Sequence, residues 1–301
     1  MSKMQNGKLR VAPFFGCVIP VRYPHIEMAV RKTMANLGVE LVDLEGFACC
    51  PDPIYFKAKD KMLWLTLAAR NLCIAEEAGL DIITMCSGCT STLKEASFLL
   101  AEDEALRRKI NLRLAKIGKR YKGTVKVKHI VVMLRDDLGI DKVAASVKRR
   151  LNGIRVGIHY GCHLLKPSQI MHVDDADYPH ILEDLVAVTG ATPVPHSEQL
   201  LCCGKGCIHE MIPLQMTRDI FAAMTDAGVD CMGLICPTCF SSFDLGQMTI
   251  ARKMNETFNL PVIYFCQLLG LAQGLSAEEV GLNWHRIKAG VVMEKLQDAL
   301  P

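Results

Sequence analysis

Ten of the fourteen cysteines in this 301-residue chain fall into two sets of five, written in the same order. The first set reads Cys17-x31-Cys49-Cys50-x35-Cys86-x2-Cys89, and the second Cys162-x39-Cys202-Cys203-x32-Cys236-x2-Cys239. The approach to the last pair repeats as well. Ala78-Gly79 and Ala227-Gly228 each lead through an apolar run into a Cys-x-x-Cys hook and then a small-polar helix start. The chain is thus written twice, and the repeated residue is the one whose thiolate binds soft metals or exchanges disulfides.

Three chemistries suit five thiols per half. Structural zinc takes four tetrahedral ligands and is satisfied by two Cys-x-x-Cys hooks, whereas each half has one hook, one vicinal pair and one single cysteine. Vicinal residues have Cα atoms about 3.8 Å apart and diverging side chains. That suits ligands of different irons better than two ligands of one zinc. Dithiol exchange fits Cys86-Ser-Gly-Cys89 and Cys236-Pro-Thr-Cys239, each set between a strand and a helix start that would lower a thiol pKa. It leaves three recurring cysteines per half without a role. An iron–sulfur cluster held by thiolates engages them, but an ordinary four-iron cubane needs four, so either one is spare or the cluster is not an ordinary cubane.

The elements that must position these thiols are also doubled. Apolar segments at 11–16, 39–44, 81–85 and 127–132 alternate with helical patterns such as 25–37 and 55–78. The second half repeats the strands at 156–160, 192–196, 231–235 and 262–265. Strands alternating with helices predict an α/β fold with parallel sheets. The cysteines fall at the carboxyl ends of the strands, where open α/β sheets build their sites. Two domains are expected, 1–140 and 141–301, joined within 118–152.

The duplicated pattern, with Cys202-Cys203-Gly204 in its second copy, resembles the CCG-domain iron–sulfur family. Within it, His159-Tyr-Gly-Cys-His-Leu-Leu-Lys-Pro-Ser168 is similar to the B subunits of the heterodisulfide reductases of methanogens. The resemblance covers nearly the whole chain. It implies two pseudo-symmetric CCG domains, each a small, mostly parallel sheet flanked by helices. It also implies a noncubane [4Fe-4S] cluster on Cys17, Cys49, Cys50, Cys86 and Cys89, and another on Cys162, Cys202, Cys203, Cys236 and Cys239. The implied reaction, in methanogenesis, reduces the mixed disulfide of coenzyme M and coenzyme B between the clusters. The implied partners are a ferredoxin-like C subunit and a flavin-containing, electron-bifurcating A subunit, linked to hydrogenase or formate dehydrogenase. Two departures stand out: Cys49-Cys50-Pro51 replaces Cys-Cys-Gly, and the second copy has a shorter gap before its hook. The competing readings are an electron-transfer subunit of another CCG complex, of the succinate dehydrogenase or glycolate oxidase type, and a zinc-stapled scaffold.

Four cysteines stand outside the repeat. Cys73, Cys231 and Cys266 read as core residues, and Cys207, which corresponds to Ile54, as a packing residue beside the site. His159, His163, His196 and His209 crowd the second half without counterparts in the first. His163, beside Cys162, is the candidate proton donor for making two thiols. Residues 204–209 lack the third glycine of a dinucleotide loop and follow no clean strand. Ten Lys or Arg and no acid between 107 and 128 read as a solvated face, with an acidic partner or an anionic substrate as the sharper readings.

Composition narrows the classes. A chain that is 50% hydrophobic with a net charge of +3 is globular, and nucleic acid is disfavoured as a partner. The longest nearly apolar run, 262–272, contains Gln267 and falls short of the roughly 20 residues of a spanning helix. The apolar stretch with Pro13, Gly16 and Cys17 reads as a strand and not an export signal, so a cytoplasmic location is expected. With no ferredoxin-like cysteine run and no flavin or nicotinamide loop, electrons are expected from another subunit.

Overall fold

A computed structural model, which describes residues 4–5 and 8–298, displays the duplication as two sheets of one topology. In the first, β1 (Met4–Gln5) lies antiparallel on β2 (Lys8–Phe14). β2 pairs in parallel with β3 (Val39–Leu41) and with β4 (Ile82–Thr84), and β5 (Val127–His129) lies beyond β4. In the second, β6 (Arg155–His159) pairs in parallel with β7 (Thr192–Val194) and β8 (Cys231–Leu234), and β9 (Val262–Tyr264) lies beyond β8. The parallel orders β3-β2-β4-β5 and β7-β6-β8-β9 are the same. Central strands such as β4 and β8 are buried along their length, as parallel strands covered on both faces must be.

Register aligns the strand ends. Phe14 stands opposite Thr84 and Thr84 opposite His129, while His159 stands opposite Leu234 and Leu234 opposite Tyr264. Each set marks the edge from which the cysteine-bearing loops leave.

Two expected strands end early and turn into helices. The segment 127–132 is strand only to His129, and Ile130–Met133 is helical; 262–265 is strand to Tyr264, and Phe265–Ala272 is helical. Local caps make the switch: His129 Nδ1 accepts the Val131 N–H at 3.4 Å, and Gln267 Oε1 accepts the Tyr264 N–H at 3.0 Å. An apolar run buried on all sides looks alike in either conformation. The helical pattern 55–78 is two helices, Tyr55–Lys59 and Lys61–Ala78. They break at Asp60, whose side chain caps the second by accepting the Leu63 N–H at 2.9 Å. The connecting stretch 118–152 carries β5 and the helix Ile140–Ala145, so it is structured.

The halves share one apolar core. The helix Phe265–Ala272 packs against Pro24–Asn36, and the Lys148 and Arg149 N–H groups both donate to the Ala272 carbonyl, at 2.8 and 2.9 Å. His25 of the first half meets His285 of the second with ring centroids 5.2 Å apart.

Candidate metal centres

Cys86 and Cys236 each lie two residues past the end of a central strand and begin the helices Ser87–Glu102 and Pro237–Asp244. Both hold extended backbone at the cap (φ −136, ψ 124 and φ −128, ψ 123), and neither helix start receives a side-chain cap. The free N–H groups and the helix dipole therefore favour negative charge where the hook sulfurs sit.

The recurring cysteines line two adjoining cavities. One, of about 130 Å³, is lined by Cys17, Cys49, Cys50, Cys86 and Cys89. The other, of about 150 Å³, is lined by Cys162, Cys202, Cys203, Cys236 and Cys239. Asp52, Pro53, Gly88 and Thr238 line both and form a common wall. Cys86 and Cys236, one from each half, bring their Sγ atoms to 3.9 Å across that boundary. At the outer side of the first cavity, Cys17 and Cys49 Sγ are 3.8 Å apart. Cys17 and Cys49 are exposed, whereas Cys162 and Cys202 are half-buried.

Two features that position the sulfurs escape the sequence reading. Gly16 and Gly161, each directly before the first cysteine of its set, both adopt φ +69. A Cβ at Gly16 would sit 2.8 Å from Cys89 Sγ, and one at Gly161 would sit 3.3 Å from Cys239 Sγ. Both conformation and space demand glycine. The Gly-Cys dipeptide repeated in both halves was the available signal.

The second feature joins the hooks from below. The buried Tyr264 hydroxyl faces the carbonyls of Met85 and Ile235, the residues directly before Cys86 and Cys236, and donates to Ile235 O at 2.6 Å. His129, at the matching position of β5, places Nε2 at 3.2 Å from the same Ile235 oxygen. With Nδ1 accepting from Val131, the proton rests on Nε2. Burial pushes the His129 pKa down to about 4, so the ring is neutral.

The thiols perturb one another. Hydrogen bonding with Cys50, then with Cys86, and then burial push Cys89 up, and Cys203, Cys236 and burial do the same to Cys239. Hydrogen bonding with Cys49 pulls Cys50 down, Cys162 pulls Cys202 down, and Cys239 pulls Cys236 down. Crowded sulfurs can all become thiolates only around a compensating cationic core. The cavities are several times the roughly 30 Å³ share of one water. Five thiols around such a space fit a polynuclear cluster better than zinc.

The remaining candidates fall into place around this. Cys73, Cys231 and Cys266 are fully buried in the core. Cys207 corrects its expectation as a packing residue: it is exposed, because the turn closed by its N–H to Gly204 O (2.8 Å) carries it to the surface. His163 lines the second cavity. His159 is buried with neither ring nitrogen partnered. His196 places Nε2 at 2.9 Å from Ile158 O and lines a separate cavity of about 580 Å³ that contains no cysteine. His209 Nδ1 accepts from the Met211 and Ile212 N–H groups at 3.1 and 3.3 Å.

This architecture of two thiol-lined α/β repeats has known relatives. The profile of the CCG cysteine-rich domain matches residues 11–94 and 156–244, so each half carries one copy. The chain belongs to the CCG cysteine-rich domain family. It is 38% identical, over 93% of its length and 94% of the relative's, to the B subunit of the ferredoxin/F420H2-dependent CoB-CoM heterodisulfide reductase of Methanosarcina acetivorans. It is 35% identical over the same shares to the B subunit of the ferredoxin:CoB-CoM heterodisulfide reductase of Methanosarcina mazei. It is also 30% identical, over 92% of this chain and 96% of the relative, to the 8-methylmenaquinol:fumarate reductase membrane anchor subunit of Wolinella succinogenes. A crystal structure of a hypothetical protein from Helicobacter pylori shares the fold, with a TM-score of 0.73 at 16% identity over 93% of this chain and 52% of that one. The relatives support an iron–sulfur oxidoreductase subunit of a larger complex. No helix among the described residues is long and apolar enough to cross a membrane.

Proposed function

We propose that each cavity holds one noncubane [4Fe-4S] cluster through its five cysteines, and that the chain is the subunit that reduces the mixed disulfide of coenzyme M and coenzyme B. The observation that carries this reading is the pair of five-thiol cavities meeting at a common wall. Cleaving the disulfide takes two electrons and two protons and yields two thiols. Bound iron–sulfur clusters supply one-electron redox chemistry together with irons that have an affinity for sulfur. Two adjoining centres match a substrate with two sulfurs.

The chain's own residues perform the rest. The helix starts behind Cys86 and Cys236 stabilise anionic sulfur, and Tyr264 keeps the two hooks in one frame. His163, on the wall of the second cavity, holds the proton for a departing thiolate. Lys205, on the same wall, offers an ammonium to an anionic tail such as a sulfonate or phosphate. The similarity to B subunits of reductases named for ferredoxin and F420H2 supports electron supply through other subunits; in this reading they are a ferredoxin-like C subunit and a flavin-bearing A subunit, fed by hydrogenase or formate dehydrogenase in the cytoplasm.

Iron, acid-labile sulfide and zinc per chain, measured on anaerobically purified protein, test this. About eight irons and eight sulfides without zinc are expected, followed by a new paramagnetic signal when the oxidised protein is titrated with coenzyme M. About four irons with one zinc defeats two-centre cleavage. Full iron without the coenzyme M signal favours an electron-transfer subunit of another CCG complex; that the family reaches beyond heterodisulfide reductases is seen in the Wolinella succinogenes relative, named as a fumarate reductase subunit.

A further inference from the structure

The two cavities match in their five thiols and meet at a common wall, but the rest of their linings differ. Anchored on Gly16-Cys17 and Gly161-Cys162, the halves match position by position. Phe14 corresponds to His159 and Val18 to His163; anchored on the vicinal pairs, Asp52 corresponds to Lys205. The hooks cross over: Pro237 of the second hook lines the first cavity, and Ser87 of the first hook lines the second. At three of these positions an apolar group beside the first set of thiols stands where a hydrogen-bond donor stands beside the second, and the Lys205 ammonium lines only the second cavity, whereas the Asp52 carboxylate lines both.

The geometry at the glycines makes the first pair most telling. The missing Cβ of Gly16 faces Cys89 Sγ on one side and Phe14 Cε1, at 4.0 Å, on the other. The missing Cβ of Gly161 faces Cys239 Sγ and, at 3.8 Å, His159 Nε2. His159 thus occupies the place of a phenyl ring beside the hook sulfur. Its nitrogens have no partner in a fully buried position, and the buried Ser87 hydroxyl also lacks one. Orphaned donors of this kind are costly unless something in the site receives them. The Asp52 carboxylate, by contrast, is occupied in accepting the Ile54 and Tyr55 N–H groups at 2.9 and 2.5 Å.

Resting on the reading that each cavity holds a cluster, we propose that the two centres are redox-inequivalent: the C-terminal centre has the higher reduction potential and takes the first electron. Reduction adds one negative charge and breaks no bond. Donors and cations close to the sulfurs stabilise the reduced form and raise its potential. One effect opposes this, since Cys17 and Cys49 are more exposed than Cys162 and Cys202, and water also stabilises added charge. Exposure touches two of the five thiols. Two of the donors, His159 and Ser87, stand at the buried side, where low dielectric strengthens them, and they prevail.

The test is an anaerobic titration with dithionite and mediators, followed by electron paramagnetic resonance, on protein whose iron and sulfide have been counted. Two midpoints are expected. His159→Phe, which copies the first half, lowers only the higher midpoint, by a tenfold change in electron distribution or about 59 mV for one electron. Phe14→His raises only the lower one. His159→Gln keeps an N–H donor and retains most of the native gap. Should the buried variants fail to load, Lys205→Gln on the exposed side lowers the higher midpoint by a smaller amount. The proposal is overturned if His159→Phe and Lys205→Gln leave the higher midpoint in place, or if both midpoints move together. A chain that never holds two clusters instead defeats the cluster reading beneath it.

Discussion

In the first half Cys17 passes directly into the helix Val18–Arg22 and on to Pro24–Asn36, whereas in the second half Cys162 enters an irregular stretch before the short helix Ser168–Met171 and then Ile181–Val188. That inserted stretch leans on the first half: Lys94 Nζ donates to the Met171 carbonyl, and Arg135 Nη2 to the Val173 carbonyl at 2.8 Å. What both copies keep is the backbone that aims sulfur: the left-handed glycine, the extended cap and the helix start. What they changed is the surroundings. The placement of the sulfurs is common to both copies, while much of the lining that sets polarity and access differs between them.

The most forceful way to break the symmetry is at the glycines. Gly16→Ala puts a methyl group 2.8 Å from Cys89 Sγ at φ +69, and is expected to cost the N-terminal centre, leaving about half the iron. Gly161→Ala meets Cys239 Sγ at 3.3 Å and should lose less of its own centre. Equal losses, read by iron analysis and far-ultraviolet circular dichroism, would argue that backbone strain alone is responsible.

Acid attacks the seam between the halves. Burial lowers the His25 pKa to about 4 and, with His25 nearby, the His285 pKa to about 3. Both rings are neutral in the fold, so nothing is lost above the unfolded value of about 6.5. As the pH falls below that, the unfolded chain takes up protons that the fold refuses. Stability should decline by about 3 kcal/mol per histidine by pH 4, checked by denaturant melts across pH 7 to 4. His285→Gln should flatten the decline.

Tyr264→Phe sharpens the comparison of the hooks. The one hydroxyl proton lies between the Met85 and Ile235 carbonyls; on its removal Ile235 O keeps His129, so the disturbance should fall more on the first hook. A loss of about 2 kcal/mol is expected from denaturant unfolding. Amide exchange should rise around Cys86 more than around Cys236.

The smallest effect is expected at the opposite ends of the central strands. Arg10 pairs across strands with Glu40 at 2.9 Å, while its counterpart Arg155 stands opposite Thr192 and binds the carbonyls of Ala227 and Gly228. Glu40→Thr, which copies the second half, should shift stability by about 0–1 kcal/mol. A larger shift would mean that the first sheet depends on its rim.

The strand segments, their parallel sheets and the cysteines at the strand ends were legible because they follow from periodicity and spacing along the chain, whereas the order of the strands shows only in the fold. The helical turns after His129 and Tyr264 were not, since Ile130 to Met133 and Phe265 to Ala272 are buried on every side and carry no polar face to reveal a period. Tyr264 was illegible for another reason. Its partners are backbone carbonyls, one of them 179 residues away, and a carbonyl leaves no mark on residue identity. The Gly-Cys pairs were legible in principle, since the dipeptide recurs at the same place in both halves, but the need for a left-handed turn there shows only in the fold. Cys207 was misplaced because its match to Ile54 located it in the repeat without showing that its turn faces water.

The exposure of Cys17 and Cys49 carries a liability for the living cell. Sulfurs that face solvent are where oxygen and peroxide have access, and oxidation climbs from sulfenic acid to irreversible acids. On the proposed reading, the N-terminal half is the side at which oxidation begins, and protein handled aerobically is expected to lose iron there first. A neighbouring subunit seated over that side would act as a shield before it acted as a wire.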